Sequence, residues 1–361
     1  MLEFGYIGDR AGPIGLINLR CDYVFRYVSM LNEARPVVLG SALSAPKFGY
    51  GEPTQGHLSY TGKVGELAVT WVSGHVVSPP LVYIGRLRGV CDAMRRRALA
   101  GGPAGAAGVP KEHGDVVITA LRSRSYLHTD MCGGRAMQLG SRRFRDPGII
   151  HSAVIPLAAG EDYFYCYGSE SGGLSPERPL RAPPAPGALP TSFIFYADQD
   201  VMGPTSKDRH RGRGPSSQVT AARVAKDVAK EDGPSLVIHP GDLSYAHGRA
   251  MKWERWFSLI QPTAVRVPYM VSVGNHEMDH IVPSDNDASH TPAGFHPPWG
   301  NYGDDSRGEC GVPTARRFFA PEGSGHGIFW YSFQHGGVHI VMLSTEVRGP
   351  RRGVDGPCRG F

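Results

Sequence analysis

The chain has 361 residues, of which 41% are hydrophobic, so it is long and apolar enough for two packed domains. Lys and Arg number 38 against 33 Asp and Glu, a net charge of +5, and the arginines do not alternate with aromatic residues as nucleic-acid-binding segments do. No apolar run approaches the roughly 18 residues of a membrane helix, and residues 1–12 lack the features of a signal peptide. We therefore expect a globular protein that binds neither nucleic acid nor membrane.

Glycine and proline, with 48 and 30 residues, favour a loop-rich β architecture over a helical bundle. The stretch Ser175–Pro190 is so rich in proline that it predicts a stiff linker between two domains. The six cysteines are widely spread and include no CxxC pair, so a zinc ribbon is not indicated, and disulfides are possible but their pairing stays open.

Before the linker, short apolar runs recur between turn residues, which is typical of a β-sandwich. The predicted strands are Gly15–Leu19, Tyr23–Val28, Leu67–Val72, Leu81–Ile84, Val116–Leu121, His151–Leu157 and Tyr163–Tyr167. The segment Met94–Pro110, which is rich in Arg, Gly and Ala, indicates a mobile insertion in a surface loop.

After the linker the pattern alternates between strand and helix, which predicts a layered β/α sheet. The predicted strands are Phe193–Tyr196, Leu236–His239 and Val267–Val273. A helix is predicted over Ser216–Lys230 with a serine cap, and another over Met251–Ile260 with Pro262 ending it.

Oxygen and nitrogen donors follow each of these three strands. Asp198 follows the first strand, Gly241–Tyr245 follows the second, and Gly274–Glu277 follows the third. Because ligands bind beyond the carboxyl ends of the strands in such sheets, we expect the three loops to converge on one small volume.

The residue types suit a pair of metal ions. Two cations about 3.5–4 Å apart need a bridging carboxylate, for which Asp242 is the candidate. A hard trivalent ion prefers anionic oxygen, as Asp198 and a Tyr245 phenolate would supply, whereas the neutral Asn275 suits a divalent ion. Asp200 is the alternative to Asp198, since the stretch Ala197–Asp200 offers two carboxylates.

Taken in order, the motifs resemble those of the purple acid phosphatases, in particular the large plant-type members. The resemblance depends on GDLSYA and GNHE at strand ends and extends to GECGVP at Gly308–Pro313, FWYSF at Phe329–Phe333 and VHIVMLSTE at Val338–Glu346. Gly56–Gly74 and Asp146–Ala153 resemble the fibronectin-III-like N-terminal domain of those enzymes. The expected fold class is therefore α+β with two domains, a fibronectin-III-like β-sandwich followed by a truncated, layered metallophosphoesterase domain.

The resemblance also implies a function, namely hydrolysis of phosphate monoesters by a metal-bound hydroxide at a dinuclear site. It implies that Asp198 and Tyr245 bind Fe(III), that Asp242 bridges, and that Asn275 binds a divalent Zn, Mn or Fe ion. His276 would act in catalysis by contacting the phosphate or helping the leaving group depart. The expected partner is a small phosphate ester, and the expected location is secreted or vacuolar.

The C-terminal residues Val347–Phe361 contain no histidine, whereas the family's later motifs supply three histidine ligands. Two alternatives therefore stay open beside the phosphatase: an inactive truncated product that acts at most as a binding protein, and a nucleotide pyrophosphatase or phosphodiesterase. The sequence does not indicate an oligomeric state. The predicted divisions are an N-terminal strand segment, the β-sandwich, the linker, the incomplete metallophosphoesterase domain and an aberrant tail, at residues 1–50, 51–174, 175–190, 191–346 and 347–361.

Overall fold

A computed structural model describes most of the chain, namely residues 20, 23–29, 37–44, 49–75, 78–99, 116–140, 143–201, 216–282, 284–290, 303–323 and 325–347. The predicted strand Gly15–Leu19 and the tail from residue 348 onward lie outside the described residues. The first described elements, β1 (Tyr23–Ser29) and β2 (Val37–Ser44), form an antiparallel hairpin.

Two antiparallel sheets follow and face each other as a sandwich. The first has the strand order β3-β4-β8-β7, and its strands are β3 (Thr54–Tyr60), β4 (Glu66–Ser73), β7 (Arg122–Arg124) and β8 (Ile149–Pro156). The strands of the second sheet are β5 (Leu81–Gly85), β6 (Val116–Thr119), β9 (Asp162–Ser169), β10 (Gly173–Leu174) and β11 (Arg178–Arg181). Their order is β10-β9-β5-β6, and β11 also pairs with β9.

Strand β4 is buried on both faces, which explains its continuous apolar run. Val69 and Trp71 belong to the core between the two sheets, where the Trp71 and Tyr167 rings lie 5.6 Å apart. Val72 points to the opposite face and belongs to a second core cluster with Tyr126 and Met131. The first sheet is therefore the middle layer between the second sheet and the segment that follows β7.

One expectation for this region needs correction. The segment from Met94 was expected to be a loop, but its first part belongs to helix α1 (Val90–Leu99), because Arg, Ala and Leu are strong helix formers. The described structure resumes only at residue 116. The predicted linker segment includes β11, which pairs with β9 on one side only. Pro179 is tolerated there because such a strand does not need every backbone N–H for a hydrogen bond to a neighbour.

A mixed α/β region follows, built on a parallel three-stranded sheet of order β12-β13-β14. Its strands are β12 (Ile194–Phe195), β13 (Val237–Pro240) and β14 (Tyr269–Ser272), connected through helices α2 (Ser217–Val228) and α3 (Ala250–Ala264). Two short helices, α4 (Asn275–Met278) and α5 (Val312–Arg317), precede an antiparallel hairpin of β15 (Tyr331–His335) and β16 (Val338–Met342).

The two helices behave as the periodicity predicts, except at one end. Ser216 caps α2 by accepting a hydrogen bond from the backbone N–H of Val219 at 3.4 Å. Helix α3 continues through Pro262 to Ala264, although Pro262 was expected to end it. The backbone N–H of Val265 still bonds the carbonyl of Gln261, so the last turn closes around the proline. The predicted order of a strand-rich domain and then a mixed α/β domain is confirmed.

The strand-rich region and the α/β region share one continuous core, which includes residues of β3, β4, α3 and β14. The described residues contain two disulfides: Cys91–Cys166 lies within the strand-rich region, and Cys132–Cys310 joins that region to the segment before α5. Among the described helices, none combines the length and the apolar character needed to cross a membrane.

Candidate functional site

The loops after β12 and β13 run side by side at the carboxyl edge of the parallel sheet. The backbone N–H of Gln199 donates to the carbonyl of Asp242 at 3.1 Å, and the N–H of Asp200 donates to the carbonyl of Leu243 at 3.0 Å. This pairing brings Asp198 next to Asp242, as the predicted convergence of the strand ends requires.

Three of the predicted site residues meet at one hydroxyl group. The Tyr245 hydroxyl lies 2.9 Å from Asp198 Oδ1 and 2.9 Å from Asp242 Oδ2. A phenol has one proton, so it donates to only one carboxylate at a time. Burial, together with the neighbouring Asp242 and Asp198 charges, raises the pKa of Tyr245 well above its usual value. Burial also raises the pKa of Asp242, although the nearby His276 opposes that shift.

The loop after β14 approaches Asp242 very closely. A Cβ added to Gly274 would lie 2.3 Å from Asp242 Oδ1, so only glycine fits there. The backbone N–H of His276 donates to the same Asp242 oxygen at 3.2 Å. Asn275 lies between Gly274 and His276 in the sequence, and its side-chain Nδ2 donates a hydrogen bond to Asp305 Oδ2 at 2.9 Å. Its side-chain carbonyl oxygen is thus left to coordinate a cation.

Glu277 connects the second and third loops. Its buried carboxylate accepts hydrogen bonds from the backbone N–H groups of Asp242 at 2.8 Å, Leu243 at 2.9 Å and Gly274 at 3.2 Å. Burial and the Asp242 charge raise the pKa of Glu277 to about 8. Glu277 belongs to the GNHE motif, but no pattern in the sequence indicates that its side chain holds the loops together.

The two candidates Asp198 and Asp200 have different partners. Asp200 Oδ1 accepts from Lys252 Nζ at 3.2 Å, and the same Lys252 ammonium donates to the carbonyl of Tyr245 at 2.8 Å. Asp198, by contrast, faces Tyr245 and Asp242. The structure therefore brings Asp198 into the candidate site. It places Asp200 in an ion pair with Lys252, whose ammonium also holds the backbone of Tyr245.

His276 contacts aromatic side chains on two sides. Its ring centroid is 4.1 Å from that of Tyr245, and its Nδ1 is 3.0 Å from Nε2 of His247. Burial, with the positive charges of Lys252 and Arg249, lowers the pKa of His247 to about 3. His247 was not among the predicted site residues, although its position two residues after Tyr245 places it near the candidate site.

Further carboxylates surround the Asn275 side of the site. Burial and the neighbouring Glu346 raise the pKa of Asp279 to about 8. Burial likewise raises the pKa of Glu346, and Asp242 and Asp305 add to that shift. Crowding of carboxyl groups thus favours their neutral forms here, whereas a cation bound beside Asn275 would favour their ionised forms.

The donor set fits a hard cation on the Asp198 side. In the part of the chain that the structure describes, no three His, Cys, Asp or Glu side chains gather closely enough to hold a metal. The candidate set instead combines the Asp198 and Asp242 carboxylates with a phenol and an amide. A cation among these oxygens would resolve the arrangement in which one phenolic proton serves two carboxylates.

The chain is similar to known proteins of one family. Residues 208–349 match the family model of the calcineurin-like phosphoesterases. The chain is 30% identical, over 94% of its length, to probable inactive purple acid phosphatase 9 of Arabidopsis thaliana, and it covers 51% of that protein. It is 30% identical, over 46% of its length, to a nucleotide pyrophosphatase/phosphodiesterase of Hordeum vulgare, of which it covers 41%.

A solved structure supports the same relationship. This chain matches a purple acid phosphatase from yellow lupin (Lupinus luteus) seeds with a TM-score of 0.69 and 28% identity, over 94% of this chain and 52% of that one. The α/β region is thus a calcineurin-like phosphoesterase domain. Over most of its length the chain is homologous to the purple acid phosphatases, and the predicted relationship is confirmed. The chain spans about half the length of the curated relatives that it matches.

Proposed function

We propose that this chain contributes to the hydrolysis of phosphate monoesters at a dinuclear metal site formed around Asp198, Asp242, Tyr245 and Asn275. The observation that carries the proposal is the Tyr245 hydroxyl, which lies 2.9 Å from both the Asp198 and Asp242 carboxylates. Asp198 and Tyr245 would hold a ferric ion, Asp242 would bridge, and Asn275 would hold a divalent Zn, Mn or Fe ion. The chemistry that such a pair supplies is activation of the attacking water and screening of the phosphate charge.

The chain's own residues would position the substrate. His276 is anchored through its backbone N–H to Asp242, so its ring stands beside the candidate metal oxygens. From there it can donate to a phosphate oxygen or to the oxygen of the departing alcohol. The exposed arginine Arg249 and the partly buried Arg135 lie near His247 and add positive potential that attracts an anionic ester.

The test is metal content together with hydrolysis. The full chain, purified after reconstitution with iron and zinc, is expected to hold two ions, to show the visible band of an iron-bound phenolate, and to hydrolyse p-nitrophenyl phosphate. The Asp242→Asn and Tyr245→Phe variants are expected to lose the band and at least tenfold in kcat/KM, as loss of a metal contact does. Binding of two ions without the band would exclude Tyr245 as a ligand.

An inactive binding protein is the first alternative. It is favoured by the names of several relatives, which call them probable inactive. No bound metal and no hydrolysis in the reconstituted chain would decide for this alternative and against the phosphatase.

A nucleotide pyrophosphatase or phosphodiesterase is the second alternative, favoured by the similarity to the barley protein. Comparing kcat/KM for p-nitrophenyl phosphate and bis-p-nitrophenyl phosphate separates the two reactions. A monoesterase is expected to prefer the first substrate, and a preference for the second would favour the alternative.

We also propose a secreted or vacuolar location, which the disulfides Cys91–Cys166 and Cys132–Cys310 support, since such bonds persist in oxidising compartments. Mass spectrometry after alkylation of the protein taken from its native cells tests this. Four free thiols at these positions would contradict it.

A further inference from the structure

The imidazole rings of His247 and His276 form a direct contact beside the candidate metal oxygens. His247 Nε2 lies 3.0 Å from His276 Nδ1, and the ring centroids are 4.9 Å apart. At this distance one nitrogen carries a proton and donates a hydrogen bond, and the other nitrogen accepts it. The contact therefore couples the tautomer of His276 to that of His247.

His276 is held from the other side as well. Its ring packs on Tyr245 with centroids 4.1 Å apart, and its backbone N–H donates to Asp242 Oδ1 at 3.2 Å. With one face against Tyr245 and Nδ1 against His247, Nε2 is the ring nitrogen left for a substrate.

The loop that presents His247 is fixed by contacts outside the metal site. His247 adopts a left-handed backbone with φ of 52°, and its carbonyl accepts from Arg135 Nη1 at 3.1 Å. The next residue, Gly248, donates its N–H to the buried Glu309 at 3.1 Å. A Cβ at Gly248 would lie 2.7 Å from the backbone nitrogen of Ala136. The strand-rich region thus sets the position of His247, because Arg135 and Ala136 belong to it.

We propose that His247 is a positioning residue that donates from Nε2 to Nδ1 of His276 and so presents the Nε2–H of His276 to the phosphate. The direction follows from the substrate, since phosphate oxygens accept hydrogen bonds and Nε2 of His276 must then carry the proton. This inference rests on the proposed phosphoesterase function, because it assumes a phosphate at that nitrogen.

The decisive measurement is the tautomer of His276. In long-range proton–nitrogen spectra of the full chain labelled with ¹⁵N-histidine, a His276→Gln variant identifies the His276 signals. We expect protonated Nε2 and unprotonated Nδ1 in the native chain, a mixture in His247→Leu, and the native state in His247→Gln, whose amide nitrogen replaces Nε2 of His247. The exposed His339→Leu serves as the control and is expected to change nothing.

Kinetics supplies the second readout. We expect His247→Leu to lower kcat for p-nitrophenyl phosphate by about 10- to 100-fold with little change in KM, and His247→Gln to restore most of it. An unchanged His276 tautomer in His247→Leu would overturn the inference. The inference would also be overturned if Zn²⁺ changed the nitrogen chemical shifts of both His247 and His276, because that result would identify both residues as metal ligands. If the native chain is inactive, the proposed function fails by itself, whereas the tautomer result still decides the role of His247.

Discussion

Individual residues at the candidate site adopt a backbone conformation that L-amino acids seldom take. Asp198, Asp242 and Tyr245 have φ values of 57°, 52° and 47°, respectively. Each such residue costs on the order of 1 kcal/mol, and aspartate tolerates the conformation better than most residues do. These conformations persist because the neighbouring loops hold them, and their concentration at one place supports the proposal of a site there.

Glu277 is the residue whose loss should reveal that support. In Glu277→Gln the amide has one acceptor oxygen and an NH₂ group, so at least one backbone N–H of Asp242, Leu243 or Gly274 loses its partner in a buried site. We expect the free energy of unfolding, measured by urea denaturation, to fall by about 1–3 kcal/mol. The exposed Glu322→Gln is the control, and equal stability of the two variants would contradict the assignment.

Among the elements, α5 connects the two regions through one buried side chain. The Arg317 guanidinium donates to Glu254 Oε1 of α3 at 3.0 Å, to Gln55 Oε1 of β3 at 2.6 Å and to the Tyr126 hydroxyl at 2.9 Å. Arg317 and Glu254 are almost completely buried. Because these charges are satisfied only by each other and by this network, removing one partner leaves the other unpaired in the core.

The Arg317→Met variant should therefore be strongly destabilised. We expect a loss of about 3–5 kcal/mol in the free energy of unfolding, measured by chemical denaturation at pH 7. The matched control is Arg316→Met, which changes the neighbouring exposed arginine of the same helix and should alter stability by less than about 0.5 kcal/mol. The double variant Arg317→Met, Glu254→Leu should recover part of the loss, and no recovery would argue against an ion-pair origin.

At the scale of the whole molecule, the strand-rich region braces the phosphoesterase region. A Cβ at Gly308 would lie 2.0 Å from the carbonyl oxygen of Gly133, so the two segments are in backbone contact next to the Cys132–Cys310 disulfide. His57 of β3 lies in the same interface, with its ring nitrogens 2.8 Å from the carbonyl of Gln55 and 3.1 Å from that of Arg317. Burial outweighs these carbonyls and lowers the pKa of His57 to about 4.

The His57 shift predicts a loss of stability in acid. Between pH 6.5 and about 4 the unfolded chain binds a proton at this histidine that the folded chain does not, so stability is full above that window and declines as the pH falls through it. We expect His57 to account for about 2 kcal/mol of the stability lost between pH 7 and pH 5. The measurement is unfolding of the native chain and of His57→Gln by denaturant at pH 7 and at pH 5.

The variant is expected to show a smaller pH dependence than the native chain, by about that amount, whereas the exposed His339→Gln should leave the pH dependence unchanged. His151, whose pKa burial also lowers to about 4, contributes in the same direction and remains in both proteins. An identical pH dependence in native chain and His57→Gln would refute the prediction.

Much of the architecture was predictable because it depends on local periodicity. The helix at Ser217–Val228 and the strands at Val237–Pro240 and Tyr269–Ser272 follow from apolar spacing that the fold then buries. Helix α1 was missed because its low-complexity sequence resembles a loop, although arginine and alanine favour a helix. The likeness of the β-sandwich to fibronectin III, the domain boundaries and the metal identities stay predictions.

The sequence by itself determined which donors end the three parallel strands, since the carboxyl ends of such strands share one edge whatever the rest of the chain does. Only the tertiary structure decided that Asp198 faces Tyr245 while Asp200 pairs with Lys252, that Cys132 joins Cys310, and that His247 touches His276. The physical reason is distance along the chain: these contacts join segments that no periodicity relates, so they are set by how the loops and the two regions pack.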